Sequence, residues 1–348
     1  MVIKSVPSDG LSYFIVQLIA ASAGILGAAI LQSINYRDLA SFSVWIGVFC
    51  TLFIVYTLFF GITVEGSSGV NARAWIKIPG GITFQPSELV KIGFIVTFSQ
   101  HLSVLDENNQ IKSFKHIFLV VLHALVPVAL IHLQGDDGAA IIFLCMAIFM
   151  TFIAGVQIRY FLWALVLGVL MLPIAWKYVL ADYQKQRIMN QLNPESDPLN
   201  MGYQQIQGKL SIASGGLSGY GLSNGPRVAN GAVPIQESDF IFSVVGEELG
   251  FIGCIALLLL LLFLLFRISI IAMKACDKLG VIMCFGFFGL ILSQTVFNLG
   301  MCLSLLPVMG VTLPFFSAGG SSAACLYLGI GLVQSVFINK RRYLKIRF

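Results

Sequence analysis

Residues 239–266 read DFIFSVVGEELGFIGCIALLLLLLFLLF, and this stretch decides the fold. From Phe251 to Phe266 no side chain is charged. A helix that crosses a bilayer needs about 20 mostly apolar residues, so the stretch predicts a transmembrane helix with Asp239 at its head. Eight further stretches of the same kind lie near 11–33, 42–62, 86–103, 114–133, 138–155, 158–180, 279–302 and 319–338. Between the last two runs a Pro- and Gly-punctuated segment, Pro307 to Gly320. The chain is 57% hydrophobic and 11% charged, whereas a soluble domain carries about 25% charged residues. The fold class is therefore all-α: a polytopic integral membrane protein of about nine transmembrane helices, read as one unit over 1–348. Its one long polar segment, 181–238, is expected to form a large extracytoplasmic loop.

The net charge of +5 is not gathered on a polar domain, which argues against a nucleic-acid partner. Six of seven cysteines lie in apolar runs and the polar loop has none, so neither a disulfide framework nor a zinc site is expected. Short loops rich in Lys and Arg face the cytoplasm. With the N-terminus outside, the inner set holds Arg37, Lys112, Lys115, Arg159, Arg267, Lys274, Lys278 and the terminal KRRYLKIR cluster. The short outer segments then hold only Lys4, Arg73 and Lys77. This balance predicts a cytoplasmic C-terminus and an outer 181–238 loop.

Ionisable side chains in or beside spans are costly and are functional candidates by default. In GVNARAWIKIPGGITFQPSELVK, residues 69–91, Pro86 suits a first helical turn and Glu88 and Lys91 share a face. They read either as an ion pair that holds helices or as a charged wall beside a polar substrate. In LQGDDGAA, residues 133–140, Asp136 and Asp137 are either turn formers or ligands for a hard cation such as Mg2+. The outer segment, polar yet carrying spaced Ile, Leu, Met and Tyr, is expected to pack on the bundle as a lid. Arg187 and Lys209 are its candidate contacts to an anionic ligand, or else solvated charges.

Asp239 stands where polar loop becomes membrane helix. It reads either as a helix cap or as a partly desolvated general base. Glu247 and Glu248 fall about 12 Å deeper on a straight helix, and are expected to hydrogen-bond across the bundle. Gln294 and Asn298 share a helix face, and Ser317, Gly319, Gly320, Ser321 and Ser322 precede the last span. Those small residues would either leave backbone N–H groups open to a phosphate or pack helices tightly. Together these features predict an outer-face pocket suited to a lipid-linked phosphate or pyrophosphate.

Several ordered motifs carry a family resemblance. They are Asn71–Ala72–Arg73–Ala74–Trp75, Gln85–Pro86–Ser87–Glu88 with Lys91, Arg187–Ile188, Asn193–Pro194, Asp197–Pro198, Gly202–Tyr203–Gln204 and Gly215–Gly216–Leu217. After them come Asp239–Phe240–Ile241–Phe242, Gly246–Glu247–Glu248–Leu249–Gly250, Pro307, Gly310, Leu313–Pro314 and Ser317 to Ser322. Over almost its whole length the chain resembles the SEDS family (shape, elongation, division and sporulation), typified by RodA, FtsW and SpoVE. The resemblance implies a peptidoglycan glycosyltransferase of the bacterial plasma membrane. Its substrate would be lipid II, an undecaprenyl-pyrophosphate disaccharide-pentapeptide, and its partner a class B penicillin-binding protein. It implies Asp239 as the essential residue, and carries the family's glutamate and lysine onto Glu88 and Lys91. No resident cofactor is implied.

Three departures from the family pattern stand out. Members usually have ten spans, so this chain is expected to begin at their second. Their glutamine-proline-aspartate-leucine-glycine-threonine turn reads Gln134–Gly135–Asp136–Asp137–Gly138–Ala139 here, and the histidine-threonine before the catalytic aspartate reads Glu237–Ser238. A negative Glu237 is expected to raise the proton affinity of Asp239. The mechanism these readings imply has Asp239 deprotonate an acceptor-sugar hydroxyl while Arg187, Lys209 and Lys91 stabilise the leaving pyrophosphate, Mg2+ being compatible. The rival readings are a lipid II flippase, for which Glu247, Glu248, Gln294 and Asn298 would line a polar path, and a catalytically silent scaffold for the transpeptidase.

Overall fold

The computed structural model describes residues 10–63, 72–77, 83–192 and 201–346. Asn71, Asn193–Pro194 and Asp197–Pro198 of the motifs, with Lys4, lie outside the described residues. In chain order the elements are α1 (Gly10–Ser33), α2 (Tyr36–Ser41), α3 (Ser43–Phe60), the strands β1 (Ile76–Lys77) and β2 (Thr83–Phe84), and α4 (Pro86–Glu107). Then come α5 (Phe114–Leu133), α6 (Asp137–Ala154), α7 (Ile158–Ile174), α8 (Asp182–Leu192), α9 (Met201–Ser214) and α10 (Pro226–Ala229). The last three are α11 (Ile241–Met273), α12 (Lys278–Cys302) and α13 (Gly320–Ile346). Among the described residues nine helices are long and apolar enough to cross a membrane. They fall where the sequence predicts them.

The ends of the helices follow local chemistry. Pro86 occupies the first turn of α4, where its missing N–H is no loss. Asp136 caps α6 and Asp277 caps α12 through their carboxylates. Gly155 ends α6 in the left-handed conformation at φ 91°, which a glycine adopts without steric penalty. Asp277 also accepts from Tyr36 and Arg37, tying α2 to the start of α12.

The core centres on α4, α6 and α12, whose Phe98, Leu102, Phe143, Ile282 and Phe287 are all fully buried. α1 lies along α13, where a Cβ on Gly24 would come within 2.8 Å of the Ala324 backbone. Lipid tails compete poorly with such close backbone packing, so small residues carry this contact. α7 has no buried residue.

The opening stretch folds differently from a straight helix headed by Asp239. α11 begins at Ile241, with Phe240 at its N-cap, and Gly250 interrupts it at φ 66°, ψ −164°. A broken helix in a membrane must satisfy its freed backbone groups internally. Here the segment GGLSGYG, residues 215–221, does so. Tyr220 N–H donates to Glu247 O at 3.1 Å and Gly221 N–H to Glu248 O at 2.9 Å. On the other side of the break, Phe251 N–H donates to Gly216 O at 2.9 Å and Ile252 N–H to Leu217 O at 3.1 Å. Among its described residues the polar 181–238 segment carries the helices α8, α9 and α10. It docks as a lid: Gln191 Nε2 donates to Ser304 O and Gln205 Nε2 to Leu306 O.

Candidate active site

Asp239 is buried, at 7% exposure, just before α11. Its carboxylate accepts from Ser238 Oγ at 3.1 Å. Its backbone carbonyl accepts from Asn298 Nδ2 at 2.8 Å, and the same amide reaches Val311 O at 2.8 Å. Ser317 Oγ in turn donates to Ser238 O at 2.6 Å and accepts from Leu313 N–H at 2.7 Å. The backbone on both sides of the carboxylate is therefore pinned, by α12 and by the segment leading into α13. Asn298 was visible in the sequence only as one of two amides on a face. Its structural task is to fix Asp239.

A second polar cluster sits at the head of α6. Lys91 Nζ and Glu88 Oε1 are 2.8 Å apart and both residues are buried, so the ion-pair reading of this motif is the one the geometry gives. Asp136 Oδ1 accepts from Ala139 N–H and Oδ2 from Gln85 Nε2. Loss of water around its carboxyl holds Asp136 above the usual carboxylate range, against the lowering effect of the Ala139 N–H and the Lys91 charge. Asp137 Oδ1 meets His132 Nδ1 at 2.7 Å, while Oδ2 takes Gln184 Nε2 at 2.8 Å, the Tyr183 hydroxyl at 3.2 Å and Arg187 at 3.8 Å. All four carboxylate oxygens are spent on protein donors.

Of the two readings of Asp136 and Asp137, this geometry fits the turn-forming one, with Asp136 as the cap of α6. A hard cation needs oxygens free to coordinate it, and this donor set does not fit one. Among the described residues no three His, Cys, Asp or Glu side chains gather into one group.

Asp137 instead gathers the lid. Arg187 is buried, stacks its guanidinium 5.3 Å from the Tyr183 ring centre, and pairs with Asp137. Burial lowers the proton affinity of Arg187, and the Asp137 carboxylate restores part of it. Burial, then Asp137, raises that of the Tyr183 phenol. Asp137→Ala is expected to loosen α8 and speed tryptic cleavage after Lys185 and Arg187 several-fold, read by timed digestion and mass spectrometry. Unchanged cleavage would show that the lid is held elsewhere.

The two clusters are neighbours. Gly138 lies so close to the Met309–Val311 segment that a Cβ there would be 2.2 Å from Met309 O, and Val311 O is the group Asn298 bridges to Asp239. α9 packs on α11, with Gly208 against the Phe240 ring. The next residue, Lys209, is exposed, as is Arg73. Among the described residues neither has an ion-pair partner, in contrast to Lys91 and Arg187. The backbone of Arg73 is fixed by a 3.0 Å bond from its N–H to Gln134 O.

The head of α13 departs from expectation in one respect. The N–H groups expected to be open to a phosphate are partly engaged: Ala318 N–H donates to Glu237 O at 2.8 Å and Gly319 N–H to Gln17 Oε1 at 3.0 Å. Gly320 lies against Val16 and Ala20 of α1, and Ser321 is buried. The packing reading fits these residues better. Glu247 and Glu248 do not reach Asp239. Glu247 Oε1 accepts from Arg227 N–H at 2.6 Å and Val228 N–H at 3.3 Å, capping the start of α10. Sequence reasoning missed the plug of the α11 break, although the four glycines of 215–221 were its signal. It also missed Tyr183 and Gln184, ordinary polar residues with nothing in their type to mark them, and gave Gln85 no role beyond its place in a motif.

This geometry defines a polytopic helical membrane protein with a helical lid over a buried carboxylate at one end of the bundle. A sequence model of the FtsW/RodA/SpoVE family, described as "Cell cycle protein", matches residues 2–342. Peptidoglycan glycosyltransferase MrdB of Escherichia coli (strain K12) is 32% identical over 320 residues, covering 91% of this chain and 84% of that protein. Stage V sporulation protein E of Bacillus subtilis (strain 168) is 35% identical over 322 residues, covering 92% and 85%. A chain from the solved structure "Structural coordination of polymerization and crosslinking by a peptidoglycan synthase complex" superposes with TM-score 0.80 at 30% identity, over 94% of this chain and 90% of that one. The rod shape determining protein RodA of Thermus thermophilus superposes with TM-score 0.67 at 28% identity, over 97% and 90%. The chain belongs to the FtsW/RodA/SpoVE family, the SEDS proteins its motifs resemble.

Proposed function

We propose that this protein is a peptidoglycan glycosyltransferase that polymerises lipid II at the outer face of the bacterial plasma membrane, with Asp239 as its general base. The carrying observation is a buried carboxylate with pinned backbone, in a chain whose relatives are named peptidoglycan glycosyltransferases. Asp239 takes the proton of the acceptor sugar's 4-hydroxyl. The oxygen forms a bond to the anomeric carbon of a second lipid-linked sugar, and the bond from that carbon to the pyrophosphate oxygen breaks. An α-linked donor gives a β-linked polymer by this single inversion. The departing pyrophosphate carries the new negative charge, and exposed Lys209 and Arg73 are the cations open to meet it. Lys91 and Arg187, each ion-paired, hold the wall and the lid. The N-terminus lies outside and the C-terminus in the cytoplasm, and a class B penicillin-binding protein cross-links the product.

Two of the four side chains that would line a flippase path serve backbone groups instead: Glu247 caps α10 and Asn298 holds Asp239 and Val311. That favours polymerisation. The purified protein, with and without a class B penicillin-binding protein, is expected to convert lipid II into glycan strands resolved by gel electrophoresis. If no strand forms under either condition while proteoliposomes of the same protein translocate lipid II, the polymerase reading fails.

A further inference from the structure

The backbone around Asp239 is also tied to α1, a helix that carries none of the candidate site residues. α1 packs chiefly on α13. Besides the approach of Gly24 to Ala324, a Cβ on Gly331 would stand 2.7 Å from Ala28 Cα, and one on Gly320 would stand 3.3 Å from Ala20 Cβ. The opposite side of α1, with Leu18, Ile19, Leu26 and Ile30, is exposed. Its way to the rest of the bundle is therefore through α13. Close contact between small residues is enough to fasten two membrane helices, so the one polar link between α1 and the head of α13 calls for another explanation.

That link belongs to a run of three residues. Ser317, Ala318 and Gly319 form irregular backbone just ahead of α13. Ser317 Oγ donates to Ser238 O at 2.6 Å, Ala318 N–H to Glu237 O at 2.8 Å and Gly319 N–H to Gln17 Oε1 at 3.0 Å. The first two bonds hold the carbonyls of the two residues that lead into Asp239. The third is held by α1. Peptide units are planar and rigid, so fixing the Gly319 N–H also restrains the Ala318 peptide beside it. Packing does little of this work, because a Cβ on Gly319 would meet nothing nearer than Ser322 Cβ at 3.6 Å.

We propose that Gln17 is a positioning residue for the reaction: it sets the register of Ser317–Gly319, and that run holds the backbone entering Asp239. The inference rests on Asp239 as the general base and deepens that reading by extending its support to α1. Gln17 acts only through the backbone that it steadies. Without its oxygen the Gly319 N–H loses its acceptor in a membrane setting, where an unmet backbone group is costly, and the run shifts to find another.

Full-length wild type, Gln17→Leu and Gln17→Glu, purified in one detergent, test this by lipid II polymerisation and thermal unfolding. Misplacing a reacting group by 1 Å can cost about 100-fold in rate. With the Ser317 and Ala318 bonds still in place, Gln17→Leu is expected to lower kcat about tenfold and to leave KM for lipid II unchanged. Gln17→Glu keeps an acceptor oxygen and is expected to restore most of kcat. Hydrogen–deuterium exchange gives a readout free of activity. Peptides covering 233–240 and 315–320 are expected to exchange several-fold faster in Gln17→Leu, with peptides from α4 and α6 unchanged. An unchanged kcat, a fall that Gln17→Glu does not rescue, or unchanged exchange over 233–240 overturns the proposal. So does a loss of kcat that comes with faster exchange throughout the bundle, which is the mark of a mere fastening. Asp239→Asn, assayed alongside, separates the two claims. If it keeps full activity, the base assignment fails and the positioning role with it. If it loses activity while Gln17→Leu keeps it, the positioning role alone fails.

Discussion

Asp239→Asn is expected to lower lipid II polymerisation by about 10²–10⁴-fold, the usual contribution of a positioned general base, while leaving the protein folded. The amide matches the carboxylate in size, and its Oδ1 can still accept from Ser238 Oγ. The contacts from Asn298 and Cys302 go to the backbone carbonyl of residue 239, which the substitution does not alter. What the amide loses is the ability to take a proton. The same substitution separates the two readings with which the residue began. Asparagine caps helices about as well as aspartate, so a capping role predicts wild-type activity. The structure already weakens capping, because α11 starts at Ile241 with Phe240 as its N-cap. Purified wild-type and variant protein would be compared for glycan product and for thermal unfolding in the same detergent. Undiminished glycan chains from the variant would sink the assignment of Asp239 as base.

How much of this could be read from the sequence depends on the kind of signal. The nine spans were legible because bilayer thickness sets a length and a composition that few other structures share. Glu88 and Lys91 were legible as a pair because their spacing places them on one helix face. The partners of Asp136, Asp137, Glu247 and Asn298 were not. Each meets a group well separated in sequence: Gln85 for Asp136, the Arg187 region for Asp137, the Arg227 and Val228 N–H groups for Glu247 Oε1, and Val311 O for Asn298. A list of ionisable residues says that each needs a partner without saying which one. That is why two adjacent aspartates suggested a cation, when in the fold they serve as a helix cap and a lid anchor. The break in α11 was hidden for a related reason. Glycine is compatible with a membrane helix, and only the segment facing Gly250 shows that the chain is interrupted there.

That segment carries the second large effect. Gly219→Ala is expected to destabilise the protein by several kcal/mol and to reduce yield and activity together. Gly219 sits at φ 72°, in the left-handed region, where a side chain costs about 1–2 kcal/mol. A Cβ there would stand 2.2 Å from Glu248 O, 2.4 Å from Glu248 C and 2.6 Å from Gly250 N. All three are backbone atoms of the broken helix and cannot swing aside. Relieving the clash means withdrawing the plug, which forfeits four backbone hydrogen bonds across the break. Unsatisfied groups at that depth are expensive because no water replaces the lost partner. The damage would not stay local. The part of α11 before Gly250 carries Glu247, whose carboxylate holds the start of α10, and begins two residues after Asp239. Gly216→Ala is the matched control: it too is left-handed, at φ 56°, but its Cβ would meet nothing within 4 Å. It is expected to lose only the backbone term. Thermal unfolding of the two variants in detergent decides the matter. Equal losses would mean that the glycines matter for chain conformation alone, whereas a much larger loss at Gly219 locates the effect in the close approach that rejoins the broken helix and keeps Asp239 in place.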